Sequence, residues 1–213
     1  MQTLAVSSDT PELVSIPPGL LTRAEPEGGA VPVAAFRLGA TQVTNRQYDL
    51  FTAETGLPGP PTRSAPAFRD PHQPVVSVSW LDAIAYCEWL GRRLDLPIRL
   101  PTEDEWEWAA RGGRAGALYP WGDEPPDARY PNYRRLWRDG PEPVGRHLSN
   151  GWGLFEMCEN AHEWCANWFD ASGTRRASRG GSWRHARKVS TCAARSSIPP
   201  EFRYADYGFR VAS

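Results

Sequence analysis

Lysine is nearly absent from this chain: of 24 basic residues, only Lys188 is not arginine. That bias reflects a GC-rich coding sequence more than a chemical role. A net charge is missing too, since 25 acidic residues leave the formal balance at −1. No broad electrostatic pull toward nucleic acid or anionic lipid follows, so a nucleic-acid partner is not expected. No apolar run approaches the ~20 residues of a membrane span, which argues against membrane insertion. Residues 1–12 lack the basic start and apolar stretch of a secretory signal, so the expected location is the cytoplasm. The four cysteines, Cys87, Cys158, Cys165 and Cys192, form no CxxC pair and no Cys/His zinc spacing. They are expected as buried small hydrophobes. No GxSxG, P-loop or GxGxxG is present. His162-Glu163 opens like a zinc-protease helix, but Ala166 stands where the second histidine is required, so His162 is expected to be a packed or surface side chain.

What is present describes a loop-rich, aromatic-anchored domain. Ten Trp, 19 Gly and 21 Pro in 213 residues supply many turns around large apolar anchors. Mean hydropathy of −0.54 is that of an ordinary soluble protein. After a short polar tail at 1–12, one domain is expected over 13–213. Val14–Ile16 and Val31–Val43 read as strands. Thr44-Asn45-Arg46-Gln47 is a capping box opening a helix that Gly56 closes. A second helix is expected from Ser79 to Leu90, with Ala83, Cys87 and Leu90 on one stripe and Gly91 after it. A third starts at the capping box Thr102-Glu103-Asp104-Glu105 and stops at Gly112-Gly113. Its Trp106 and Trp108 cannot share a face, so one must pack against the following loop. The acidic residues of its first turn are read as serving the cap and the helix dipole. Beyond Gly112 the pattern predicts loops and short strands at about 154–157, 163–169, 179–183, 190–195 and 208–212. Helices followed by irregular strands is an α+β pattern.

These segments together resemble a known family. Thr44-Asn45 with Tyr48 and Phe51, Pro74 to Trp80, Arg99-Leu100-Pro101-Thr102-Glu103 and Tyr119-Pro120-Trp121-Gly122 carry the first half of the likeness. Asn150-Gly151-Trp152-Gly153-Leu154, Asn160-Ala161 with Glu163-Trp164, Arg179-Gly180-Gly181-Ser182-Trp183 and Gly208-Phe209-Arg210 carry the second. In this order they resemble the formylglycine-generating-enzyme-like, or sulfatase-modifying factor, family. The resemblance implies an elaborated C-type lectin-like fold with small mixed sheets, two to three helices and extensive loops. The family's enzyme oxidises a substrate cysteine with two copper-binding cysteines lying shortly after the Gly-Gly-Ser-aromatic motif. Here the first of them falls on His185, and the second falls in a stretch that is shorter. Cys192 matches a structural cysteine of the family, whose disulfide partners fall on Ala110 and Val211, leaving Cys87 and Cys192 unpaired. No catalytic residue and no required cofactor are therefore expected. The resemblance also implies structural calcium held by the Glu156 and Glu163 side chains with the Glu159 and Ala161 carbonyls. A weaker second site would use Asn132, the Tyr133 carbonyl and Asp139.

The segment 183–207 then becomes the candidate binding face. Between the anchors Trp183, Arg195, Pro200, Arg203 and Gly208-Phe209-Arg210 stand Arg184, His185, Ala186, Arg187, Lys188, Ala194, Ser196, Ser197, Phe202, Tyr204, Ala205, Asp206 and Tyr207. That mixture of Tyr, Ser, Arg and small residues is paratope-like, since Tyr offers rigid contact area and Ser adaptable hydrogen bonds. The layout resembles the variable proteins of diversity-generating retroelements, in which a reverse transcriptase rewrites codons near the C-terminus of a C-type lectin scaffold. The arginine-rich composition suits a thermophilic member. What this implies is a non-catalytic ligand-binding protein whose partner is a protein or peptide. Two other readings stand beside it: an oxidoreductase or maturation factor of the same fold with an altered site, and an accessory pseudoenzyme scaffold.

Overall fold

The computed structural model describes residues 9–23, 28–124, 139–185 and 190–213. Asn132, Tyr133, Ala186, Arg187 and Lys188 lie outside the described residues. Strand β1 (Leu13–Ile16) pairs antiparallel with β4 (Phe36–Gly39), and between them β2 (Gly19–Thr22) pairs with β3 (Ala30–Val33). Three helices follow: α1 (Asn45–Thr55), α2 (Trp80–Leu94) and α3 (Glu103–Arg111). A four-stranded mixed sheet then closes the chain, with β5 (His162–Trp168), β6 (Arg176–Arg179), β7 (Arg195–Ile198) and β8 (Tyr207–Gly208) in the order β7-β6-β5-β8. Only the β5–β8 pair is parallel. The architecture is α+β with small mixed sheets, three helices and long loops, the C-type lectin-like arrangement.

All three helices start where the sequence places them. Thr44, Ser79 and Thr102 each accept a hydrogen bond from the N3 amide, and Gln47, Asp82 and Glu105 reach back to complete the boxes. Gly56 and Gly112 end α1 and α3 in the left-handed conformation that glycine adopts without strain. Helix α2 runs one turn past the expected stop. Gly91 sits inside it because a Cβ there would stand 3.0 Å from the Leu96 carbonyl, so its role is close approach rather than termination. Asp95, left-handed at φ 52°, ends the helix instead. Trp106 is fully buried while Trp108 packs on Trp152 of the following loop, as the one-face argument requires.

Several strands lie elsewhere than expected. Residues 154–157 form a turn, since Glu156 has φ 49°, outside the strand region. The strand expected at 179–183 lies before it, at β6, because Gly180 and Gly181 (φ 93° and 66°) turn the chain away. The one expected at 190–195 begins only at Arg195. Ala212 bridges to Leu38 and Arg99 rather than extending β8. Strand β2 is an addition, invisible beforehand because Gly19-Leu20-Leu21-Thr22 is short and preceded by two prolines.

Two clusters form the core. One joins α1 and α2 through Tyr48, Phe51, Tyr86 and Trp89 to Phe209 and Trp164. The other joins α3 and the N-terminal strands through Trp106, Leu38, Leu154 and Cys165. Between them lies an ion pair with both side chains fully buried, Arg210 with Glu163. Arg210 donates to Glu163 through Nε at 2.7 Å and Nη2 at 2.8 Å, and to the carbonyls of Gly39 and Phe155, both at 2.9 Å. Glu163 accepts further bonds from Trp106 Nε1 and Gln42 Nε2.

Removing one member of such a pair strands a buried charge, at a cost of about 3–5 kcal/mol. Arg210→Leu should therefore lower unfolding stability by about that amount in urea titration. A loss below ~1 kcal/mol, the level of an exposed pair, would show that the pair does not organise the core.

Candidate functional site

The Gly180-Gly181 turn builds the most distinctive part of the C-terminal face. It leaves β6 and is pinned when the Trp183 amide donates to the Asn160 carbonyl at 3.0 Å. Gly180 is required there, because a Cβ would stand 3.1 Å from the Trp106 ring at φ 93°. The turn carries His185 over the first residue of β5, so that His185 Nδ1 lies 3.1 Å from His162 Nε2. Ser182 Oγ donates to Asp206 Oδ2 at 2.8 Å and stands 3.2 Å from the same His185 Nδ1. His162, His185 and Asp206 hold ligand-type atoms all within 4.8 Å of one another, the one such group of three or more His, Cys, Asp or Glu among the described residues. The two histidines border a cavity of about 120 Å³ that Arg179, Gly180, Arg195 and Ser196 also line.

His162 is buried and stacks on Tyr207 at 4.6 Å. Burial is the main influence on its titration and, with His185 beside it, outweighs the opposing pull of Asp206 and the Arg179 backbone, so its pKa is pushed down to about 4. It is neutral at neutral pH. The expectation of a packed histidine is met. Its contact with His185, across 23 residues of chain, left no mark in the sequence.

Around this floor lies a rim of more open side chains. Phe202 and Tyr204 are exposed and stack on each other at 5.8 Å. Arg184, His185, Ala194, Ser196, Ser197 and Ala205 are half-buried. Two candidates prove to be interior. Tyr207 is buried, with its hydroxyl 3.1 Å from Ser196 Oγ and its ring against Trp164. Asp206 is buried and held by Ser182. Tyr207 opens β8 and pairs with His162 of β5, and the Asp206 carbonyl just before it accepts from the His162 amide. Neither can be a surface contact.

Beneath the cavity lies an ionic network that the dipole reading of α3 missed. Glu103 accepts from Arg179 at 3.0 Å and from Arg195 at 2.8 and 2.7 Å. Glu107 binds Arg179 and Arg111. All but Arg195 are buried, so these carboxylates anchor β6 and β7 rather than merely facing a helix N-terminus. Only the Glu107–Arg111 spacing was visible in sequence. Nearby, the Arg176 guanidinium sits between the Trp80 and Trp168 rings, 3.7 and 3.5 Å from their centroids, fixing the outer edge of β5.

Of the oxygens expected to hold calcium, those of Glu156, Glu159 and Glu163 accept from protein donors. Glu163 is taken by Arg210, Trp106 and Gln42. The Glu156 carboxylate accepts from the Gly145 amide at 3.0 Å and more weakly from His147, and burial raises its pKa. Gln42 Nε2 donates to the Glu156 carbonyl at 3.1 Å and reaches the Glu159 carbonyl at 3.4 Å. The carboxylates of Glu156 and Glu163 thus accept from different protein donors, and Glu159 and Ala161 are buried. Asp139 is exposed. The four cysteines are free and buried, and burial raises the thiol pKa of Cys87, Cys158 and Cys165. Cys158 and Cys192 lie with their sulfurs 3.9 Å apart in the α3 core.

The chain belongs to the sulfatase-modifying factor enzyme 1-like domain family, whose model matches residues 2–213. It is 36% identical over 178 residues to the formylglycine-generating enzyme of Thermomonospora curvata, covering 67% of this chain and 56% of that protein. It is 38% identical over 164 residues to the inactive C-alpha-formylglycine-generating enzyme 2 of Mus musculus, covering 66% of this chain and 49% of that one. The chain spans about half the length of these curated relatives. Among solved structures it is similar to variable protein 1 of Treponema denticola, with a TM-score of 0.79, 25% identity and 94% of each chain covered. The relatives it matches thus include one named as an enzyme and one named as inactive. Among the described residues of this chain, no helix is long and apolar enough to cross a membrane.

The burial pattern separates rim from floor experimentally. Tyr204→Ala should change unfolding stability by no more than ~0.5 kcal/mol, because it removes an exposed ring. Tyr207→Ala should cost about 3–5 kcal/mol, because it empties a buried aromatic site. Equal losses in chemical denaturation would show that Tyr204 is also structural.

Proposed function

We propose that this chain is a non-catalytic ligand-binding protein whose C-terminal segment is diversified to present a variable surface on the lectin-like scaffold. One observation carries the reading: side chains free to change and side chains that hold the fold alternate along the same short segment. Trp183, Ser190, Cys192, Phe209 and Arg210 are buried, whereas Arg184, His185, Ala194, Ser196, Ser197, Phe202, Tyr204 and Ala205 keep solvent-accessible surface. The first set packs and pairs with distant residues. The second can be exchanged with little loss of buried area. Stacked Phe202 and Tyr204 supply the rigid aromatic area that protein contacts favour, and Arg184 lies over the Trp183 ring at 4.8 Å. A protein or peptide is the partner this exposed surface suits. The similarity to a chain named variable protein 1 supports the same reading.

The absence of an activated thiol supports a non-catalytic role. The family enzyme needs paired cysteines open to substrate. Here Cys158 and Cys192 are neighbours, but both are buried in the apolar cluster of α3, away from the cavity that His185 borders. Burial raises the Cys158 thiol pKa, which leaves little thiolate there to bind a soft copper ion or attack a substrate.

The DNA flanking the gene tests diversification directly. A reverse transcriptase gene and a near-copy of the codons for residues 183–207 are expected beside it; finding neither would end the proposal. At the protein level, a library randomised at Arg184, His185, Ala194, Ser196, Ser197, Phe202, Tyr204 and Ala205 should keep cooperative unfolding in most members. It should also yield binders to an unrelated protein such as lysozyme. Widespread loss of folding would show that these positions are not free to vary.

A further inference from the structure

We propose that His162 Nε2, His185 Nδ1 and one carboxylate oxygen of Asp206 form a three-ligand site for a divalent first-row transition ion of the zinc type. The inference rests on how few protons the cluster can accommodate. Ser182 Oγ gives its hydrogen to Asp206 Oδ2, so toward His185 that oxygen can only accept. His185 Nδ1 then faces two acceptors, Ser182 Oγ at 3.2 Å and His162 Nε2 at 3.1 Å, with a single hydrogen to offer. In the alternative tautomer His162 Nε2 carries the hydrogen and its Nδ1 is left as a buried lone pair. The buried Trp183 Nε1 and Arg184 Nε of the same turn have no hydrogen-bond partner. Both are N–H donors, so they call for an acceptor such as an anionic group of a bound ligand beside the ion, and the ion itself is argued from the two facing imidazole nitrogens.

An ion resolves this arrangement. With both imidazoles protonated on their outer nitrogens, two lone pairs meet at one point. Bonds of about 2.0–2.1 Å at angles between square and tetrahedral put two ligand nitrogens roughly 2.8–3.4 Å apart. The observed 3.1 Å falls in that range. Asp206 supplies the charge a dication needs. Its Oδ2 keeps the Ser182 bond, while Oδ1 meets only a long 3.8 Å contact with Arg184 Nη1, which a modest side-chain rotation can exchange for the ion. Imidazole with carboxylate is the donor set that suits zinc, cobalt and their neighbours, and differs from a pair of thiolates, which favours Cu(I). Three protein ligands leave a position open, and the cavity beside His162 and His185 has room for water or an anionic group of a bound ligand.

The site is tested with the metal alone on the full chain, stripped by chelator dialysis. Cobalt(II) should bind at one equivalent with visible d–d absorption, and zinc should displace it. His185→Ala, at a half-buried position that tolerates the change, and Asp206→Asn should each weaken binding about tenfold or more. The remote His72→Ala should not. His162→Gln should abolish the absorption, with circular dichroism confirming that the variant folds. Binding weaker than about 0.1 mM, or binding unchanged in His185→Ala, would overturn the site. Since no protein ligand enters this experiment, its failure leaves the diversified-surface reading standing, and the converse holds.

Discussion

The fold depends on one buried ion pair. Glu163 belongs to the central strand of the C-terminal sheet and Arg210 to the last segment of the chain, and neither side chain reaches water. Desolvating two charges costs several kcal/mol per ion, so the pair is tolerable only because every remaining donor and acceptor is satisfied. The Arg210 guanidinium also holds the carbonyls of Gly39, Ala40 and Phe155. One side chain thereby ties the N-terminal strands, the buried loop before β5 and the C-terminus together. A fold rich in loops and poor in regular sheet gains from this a fixed centre that its short strands do not supply.

Around that centre the C-terminal face is stiff below and permissive above. Glu103 and Glu107 of α3 hold Arg179 and Arg195, which carry β6 and the start of β7. Arg176 between Trp80 and Trp168 secures the outer end of β6. Backbone positions of β6 and the start of β7 are therefore set by contacts beneath the sheet. The exposed rings of Phe202 and Tyr204 contribute little to that scaffold. This separation lets a surface change without unfolding its support. The two histidines occupy the boundary: His162 belongs to the packed floor, and His185 to the rim above it.

The helices were legible because their information is local. Each capping box lies within four consecutive residues, and Gly56 and Gly112 mark left-handed ends that other residues adopt with strain. Gly91 misled because the same residue type also serves where two backbones approach closely. The strands after 153 were misplaced for a related reason. Consecutive burial of Leu154 to Ala161 imitates a core strand, whereas Glu156 and Asn160 take positive φ and the segment is a buried loop. At Tyr207 and Asp206 the residue types suited a binding surface, and only tertiary contacts bury them, Tyr207 against His162 and Trp164 and Asp206 against Ser182.

The sequence by itself determined the family, the helix limits within one turn and the burial of the cysteines. These follow from residue identity and short spacings. Tertiary structure alone decided which residues meet. The partners Glu163 and Arg210, Glu103 and Arg195, and His162 and His185 are separated by 47, 92 and 23 residues. Such pairs have no periodicity to announce them, because loops of any length can close between them at a cost that grows only slowly with length. Only the fold brought His162, His185 and Asp206 to one place.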